Sequence, residues 1–384
     1  MPTFDIVVTT IFEPAWLDGY LENIRAHGHM EVVTIRIICD RKSPGSVYDA
    51  AQRAIEQGFS IDCPTLEEQE RYLKDLNLPR DFIPWNTDNR RNIGYLRAWE
   101  HDADVLISID DDNYCRPDSD FIGAHRVVGG QAGTAGKSQC ASGAPWFNMC
   151  SLLNDDSGST IWARGFPYRD RDPAADPALQ PLPSELVTSR LAVNAGLWVD
   201  DPDVDAVTRL AQRPYVDTAE PTNVVLAPGT WSPINTQNTA LHREAIPTYY
   251  YVRMGFPVKG MLLDRFGDIW SGYFLQCCAQ NLGELVRVGA PVADHRRTTH
   301  NLFKDLYQEL AGIVLTEDLL PWLRELRLSA TTYAEAYAEL ADAIAGQADK
   351  FTGFLWDEGG REFLSATATH MRTWLDAIRT LSGP

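Results

Sequence analysis

Apolar runs alternate with amphipathic stretches along the first hundred or so residues. Residues 5–10 (DIVVTT), 32–39 (VVTIRIIC) and 105–109 (VLISI) are nearly continuous in apolar character and rich in β-branched side chains. Such runs read as strands buried on both faces. Residues 17–26 and 92–100, lying between them, carry apolar positions at helical spacing. Strands interleaved with helices predict an α/β fold, a Rossmann-like and mostly parallel sheet flanked by helices. Ligands of such sheets collect beyond the carboxyl ends of the strands. Here those ends supply Thr9, Thr10, Asp40, Asp110, Asp111 and Asp112. One polar site assembled from three strand ends is therefore expected.

Farther along, residues 129–143 (GGQAGTAGKSQCASG) are rich in Gly, Ala and Ser and read as a mobile loop. They lack both GxGxxG and a GK[ST] ending in register, so they do not read as a phosphate cradle. Residues 169–183 are dense in Asp and Pro and read as a surface excursion. Beyond Thr316 the pattern turns helical. Tyr333, Tyr337, Leu340 and Ile344 share one helical face, as do Met371, Trp374, Ile378 and Leu381. The expected organisation is an α/β domain over 1–313 that carries the polar site, and a C-terminal helical region over 314–384. The latter would serve as a cap or as an interface for a homo-oligomer.

Composition narrows the functional classes. The 384 residues suffice for a substantial core, and 11 Trp with 14 Tyr argue against disorder. Acidic residues outnumber basic ones 53 to 34, a net charge of -19. That field repels phosphate backbones, so neither nucleic acid nor an anionic membrane is an expected partner. An anionic substrate would need a local cation, whether Arg or metal. Seven cysteines with no CxxC pair indicate neither a disulfide framework nor a zinc knuckle. No basic-then-apolar segment opens the chain, and no apolar run approaches about 18 residues, so a cytoplasmic enzyme is expected.

The candidate chemistry begins at the acidic triplet. Three consecutive carboxylates raise one another's pKa unless something positive lies among them. A divalent cation such as Mn2+ or Mg2+ answers that need and accepts diphosphate oxygens as further ligands. A solvated acidic turn or a helix cap is the alternative, set against an apolar strand that ends directly in the triplet. His295, just ahead of the basic, polar run 296–300, could complete a metal sphere with Asp110 and Asp112. A lone His is equally a surface or core residue.

Six segments in order then resemble the reversibly glycosylated polypeptides, also called UDP-arabinopyranose mutases, from about residue 5 to about residue 313. They are Thr9-Thr10 with Asp40, Arg91-Asn92-Ile93-Gly94-Tyr95, the triplet, Arg164-Gly165-Phe166-Pro167-Tyr168, Gly196-Leu197-Trp198 with Pro202-Asp203 and Asp205-Ala206, and Arg265/Asp268/Trp270 with His295 and Asn301. The resemblance implies a GT-A-type fold and a pyranose/furanose mutase acting on a nucleotide sugar. It further implies that Arg164 holds the position glycosylated in that family. A phosphate clamp is the other reading of Arg164, since a guanidinium fork suits a diphosphate.

Within that reading Asp111 would hold a ribose or sugar hydroxyl, and Thr9, Thr10, Asp40, Arg91, Asn92 and Asn301 would help bind substrate. Asp268 would be the base that covalent capture by Arg164 requires. Trp198 and Trp270 would wall the sugar pocket, or simply pack in the core. Two departures, Gly267 where the family has a second Asp and Ile11-Phe12-Glu13 after the first strand, lie where base, ribose or sugar would be held. They leave both UDP- and GDP-sugars open, GDP-fucose and UDP-arabinose among them. A flavin is not expected, because no GxGxxG follows the first strand. The alternatives are a glycosyltransferase with a separate acceptor, and a non-catalytic nucleotide-sugar-binding protein.

Overall fold

A computed structural model of the chain describes residues 1–155, 158–298 and 300–383. Its first third follows the apolar pattern. Strands β1 (Phe4–Thr10), β2 (Val33–Cys39), β3 (Ser60–Asp62) and β4 (Val105–Asp110) alternate with helices α1 (Leu17–Ala26), α2 (Ser46–Glu56), α3 (Leu66–Asp75) and α4 (Arg91–Glu100). The four strands are parallel in the order β3-β2-β1-β4. Parallel neighbours need long crossovers, which the helices supply.

Strand periodicity then divides the core. Ile6, Val8, Ile107 and Ile109 face one side of the sheet with α1 and α2. Val7, Ile38 and Leu106 face the other, with Tyr95 of α4. Full burial of each such side chain contributes about 1.5–3 kcal/mol. Gly94 lets α4 sit close on β1, since a Cβ there would lie 2.3 Å from Val7 Cγ1.

The later segments extend this sheet. They comprise β5 (Asn113–Cys115), α5 (Phe121–His125), β6 (Ser138–Ala141), β7 (Leu153–Asp155), β8 (Leu179–Pro181), β9 (Leu191–Asp200) and α6 (Ala206–Gln212). After them come β10 (Val216–Ala219), β11 (Asn223–Leu226), β12 (Asn238–His242), β13 (Phe256–Val258), β14 (Met261–Leu263), α7 (Gly267–Asn281) and β15 (Leu285–His295). Beyond β4 the order runs β12-β9-β15-β11-β6-β8, with β15 parallel to β9 and β12 antiparallel to both of its neighbours. The sheet is parallel in its N-terminal half and mixed beyond it. The Gly-rich stretch 129–143 is not simply a loop: it contains β6, which pairs with β11 and β8. The excursion 169–183 is mostly exposed and carries the outermost strand β8.

Three helices close the chain: α8 (Leu302–Glu325), α9 (Tyr333–Ala348) and α10 (Gly360–Ser382). The expected boundary at 313/314 falls inside α8, and one hydrophobic cluster joins both sides of it. The apolar faces predicted for α9 and α10 are turned inward. Tyr337, Leu340, Ile344, Met371 and Trp374 are fully buried, and Trp374 Nε1 donates to the Pro247 carbonyl at 3.0 Å. These predicted faces pack against the core of the sheet domain. Among the described residues no helix is long and apolar enough to cross a membrane.

Candidate active site

Register brings the predicted strand ends level. Thr9 pairs with Asp110, and Thr10 with Cys39, the residue before Asp40. The crossovers from β1 to β2 and from β3 to β4 lead to opposite sides of β1, so this edge is the crevice where chain order reverses. Arg91, in the first turn of α4, reaches beneath it. Its Nη1 donates to Ser108 Oγ at 2.9 Å and to the Ile109 carbonyl, and its Nη2 to Thr9 Oγ1 at 3.3 Å. The same guanidinium pairs with Asp110. Burial nevertheless outweighs Arg91 and pushes the Asp110 carboxyl up to about 7. Burial likewise lifts Asp111 to about 6, although the Ile11 amide donates to it at 3.4 Å. Two carboxyls of the triplet are thus held close to neutrality, the electrostatic condition a bound cation would relieve.

His295 reaches the triplet through strand pairing. At the end of β15 it lies opposite Asn113 of β5, and the Arg296 amide donates to the Asp112 carbonyl at 2.8 Å. The Asp201 carbonyl accepts from His295 Nδ1, which leaves Nε2 facing Asp112 Oδ2 at 3.3 Å. A bare nitrogen lone pair against a carboxylate is repulsive, so a proton or a cation belongs between them. For a proton, burial disfavours the imidazolium, but the Asp112 carboxylate overrides it and raises the His295 pKa. Burial would raise Asp112, and the His295 hydrogen bond lowers it. Among the described residues no three His, Cys, Asp or Glu side chains converge as an ion-binding group, because Asp110 is turned toward Arg91. Asp112 and His295 form a two-donor pair whose chemistry suits Mn2+ or Mg2+, with Asp110 two residues before Asp112 in the chain.

Arg164 lines the same cavity and is almost fully buried. Its Nε and Nη2 donate to Asp203 at 2.9 and 3.1 Å, and its Nη1 and Nη2 to Asp268 at 3.1 and 2.6 Å. Nη1 also donates to the Arg265 carbonyl. All five guanidinium N–H groups are therefore used. Burial opposes the charge, but Asp203 and Asp268 overcome it and raise the Arg164 pKa well above its usual value. Arg265 has φ +60°, the left-handed region, and its Nε is held by Glu309 of α8 at 3.0 Å. Asn235 Nδ2 steadies Asp203 at 2.7 Å.

Thr9, Thr10, Asp40, Arg91, Asp110, Asp111, Asp112, Arg164, Asp268 and His295 line a single cavity of about 350 Å³. The other four predicted residues lie outside its lining. Asn92 is buried and holds the Tyr251 backbone through two hydrogen bonds. Trp198 is buried within β9. Trp270 is buried in α7, where its Nε1 donates to Thr316 Oγ1 at 2.9 Å and its ring packs on Phe274 and Phe363. Asn301 caps α8 by accepting from the amides of Phe303 and Lys304. Packing for the two Trp, backbone hydrogen bonds for Asn92 and capping for Asn301 are what the structure shows at these four positions.

The expected site also left out cavity residues, among them Asp203, Arg265, Arg297 and His300. The first two stand in segments that carried the family resemblance, and the last two in the basic run after His295. Thr299 of that run lies outside the described residues.

The sequence is similar to those of several plant proteins. UDP-arabinopyranose mutase 1 of Arabidopsis thaliana is 26% identical over 335 residues, covering 86% of this chain and 83% of the relative. UDP-arabinopyranose mutase 2 of the same plant is 26% identical over 249 residues, 64% of this chain and 61% of that protein. A probable UDP-arabinopyranose mutase 1 of Pisum sativum is 32% identical over 212 residues, so the chain spans about half of that relative's length, 53%. Two solved structures overlap loosely with the fold. Glucosyl-3-phosphoglycerate synthase from Mycobacterium tuberculosis, with Mn2+ and UDP-glucose, has a TM-score of 0.39 and 12% identity over 82% of this chain and 79% of that one. A mannosyltransferase from Pyrobaculum calidifontis, with GDP-Man and Mn2+, has a TM-score of 0.37 and 12% identity over 99% and 85%. The family model described as reversibly glycosylated polypeptide matches residues 2–382, essentially the whole chain, and the protein belongs to that family.

Proposed function

We propose that this chain is a divalent-metal-dependent mutase that interconverts the pyranose and furanose forms of a nucleotide sugar, through a GT-A-type site. The observation that carries the reading is that two charge clusters, the triplet with His295 and the Arg164 cluster, line one cavity. Mutase names among the relatives support it. The isomerisation breaks the bond between the anomeric carbon and the diphosphate, whose oxygen keeps the electron pair. A different sugar hydroxyl then bonds to that carbon and gives up its proton, the old ring oxygen parts from it and takes a proton, the diphosphate returns to the carbon, and nothing is oxidised or reduced.

Asp112 and His295 would hold the metal, with Asp110 turned from Arg91 to join them. A bound Mn2+ or Mg2+ supplies charge for the departing diphosphate. Asp111, Thr9, Thr10 and Asp40 offer acceptors and hydroxyls to ribose or sugar. Arg164 acts foremost as a fixed cation beside the reacting carbon, since a guanidinium held by two carboxylates is a poor nucleophile. Covalent capture at Arg164 would require Asp268, which already shares two hydrogen bonds with it, to take the proton. The base is guanine or uracil and the sugar is one such as fucose or arabinose.

The test is incubation with Mn2+ and a panel of UDP- and GDP-sugars without acceptor, followed by chromatography and mass spectrometry. A new nucleotide-sugar peak of unchanged mass is expected. Nucleotide release only when an acceptor is added would replace the mutase with a glycosyltransferase. Metal-dependent binding with no turnover on any sugar would leave a binding protein.

A further inference from the structure

Two thiols that the proposed chemistry does not use stand beside the nucleotide cavity. Cys39 ends β2 and is fully buried; Cys63 follows β3 and is half-buried. Their Sγ atoms are 3.9 Å apart. A disulfide needs about 2.05 Å, so closure asks for an approach of roughly 2 Å. The backbone there is suited to give it, because β3 has three residues, pairs only with β2 and forms the end of the sheet. The Cys63 hydrogen bond holds the Cys39 thiol below its ordinary pKa against the opposing effect of burial. Two thiols in contact, one of them partly exposed at the sheet edge, are placed to oxidise to one another.

The pair is also wired to the cavity wall. Gln69 Nε2 bridges the carbonyls of Cys39 and Pro64, the residue after Cys63, at 3.0 and 3.1 Å. Arg90, which lines the cavity, donates to Gln69 Oε1. Asp40, next to Cys39, lines the cavity as well. Its carboxylate accepts from the Arg41 and Asn86 amides at 2.6 and 2.7 Å, and its own amide donates to Ser43 Oγ at 2.7 Å. Drawing Cys63 onto Cys39 therefore moves the end of β2, the start of α3 and, through Gln69, Arg90.

We propose that Cys39 and Cys63 are a modification site, a dithiol that closes to a disulfide under peroxide and thereby weakens nucleotide binding. Two thiols and one hydrogen peroxide give one disulfide and two waters: each sulfur is oxidised by one electron and the peroxide O–O bond is reduced. The claim about the cavity rests on the nucleotide-sugar reading above, while the claim about the bond does not.

The experiment treats the full chain with hydrogen peroxide and reads intact mass, peptide linkage, and GDP and UDP affinity in Mn2+ by calorimetry. A loss of two hydrogens mapped to Cys39–Cys63 is expected, with affinity weakened roughly fivefold or more. Dithiothreitol should reverse both, and Cys63→Ser should bind like the reduced protein and ignore peroxide. Absence of the 39–63 linkage while other cysteines oxidise overturns the proposal, as does a linkage that leaves affinity unchanged. If the reduced protein binds neither nucleotide, the nucleotide-sugar reading and the cavity claim both fall, and the linkage stands or falls on the mass data.

Discussion

At the scale of single residues, buried charge is tolerated here only where its partners are complete. Arg164 satisfies two carboxylates and is satisfied by them, so neither side can be removed cleanly. Arg164→Ala leaves Asp203 and Asp268 facing each other in a largely desolvated wall. The expected loss is about 3–5 kcal/mol in urea denaturation, together with loss of isomerisation in the acceptor-free assay. A fully stable variant would show that water already screens the pair.

His125 illustrates the opposite case, a buried group kept neutral. Its Nε2 donates to Asn238 Oδ1 at 3.0 Å, and its Nδ1 accepts from Asn194 Nδ2 at 3.0 Å. Burial is the main cause that lowers its pKa from 6.5 to about 3. Between those values the unfolded chain binds a proton that the folded chain refuses. Stability contributed by neutral His125 is therefore complete above pH 6.5 and declines as pH falls toward 3. The slope is at most about 1.4 kcal/mol per pH unit. His125→Gln should flatten the acid side of a stability–pH curve measured by denaturant titration, and an unaltered slope would exclude this residue as a source.

At the scale of elements, strand register and helix ends place the site. Residues 92–100 form the helix that sets Arg91 under β4, and the close seat at Gly94 keeps that helix on β1. Asn301 shows how a conserved-looking motif position can serve an element instead of a ligand. Its side chain caps α8 and lies outside the cavity lining. Asn301→Ala should cost about 1 kcal/mol of stability with nucleotide affinity unchanged, checked by thermal denaturation and calorimetry in parallel. A large loss of affinity at full stability would return Asn301 to the substrate site.

For the molecule as a whole, the C-terminal helices complete the core. Trp374 packs on Tyr250, and Trp270 bonds to Thr316 of α8, so the region after 313 shares its apolar surface with the sheet domain. A chain cut after residue 331 would lose α9 and α10 and uncover Tyr250 and Trp270, which pack on Trp374 and Phe363. It should lose its near-ultraviolet circular dichroism and bind a hydrophobic dye. A cooperative unfolding transition like that of the full chain would mean that residues 1–331 fold alone.

Much of the fold was legible because the information is local. Continuous apolar runs, and helical stripes between them, are dictated by burial on both faces of a sheet, and the strand ends in Thr9, Thr10, Asp40 and the triplet follow from where those runs stop. Residues 129–143 misled because Gly and Ala hide a short strand whose pairing partners lie about forty and eighty-five residues away. Trp198, Trp270, Asn92 and Asn301 lie outside the cavity lining, a placement set by packing, backbone hydrogen bonds and capping that no local pattern specifies.

The linear chain by itself determined the α/β class, the acidic strand ends and the need for a positive partner among them, since periodicity and local charge are written in consecutive residues. Only the tertiary structure decided what that partner meets. It set His295 against Asp112 through pairing with β5, enclosed Arg164 between Asp203 and Asp268, turned Asp110 onto Arg91, and folded the last helices over the core. Each of these joins residues far apart in the chain, where the energy of one contact depends on burial and register that no local pattern specifies.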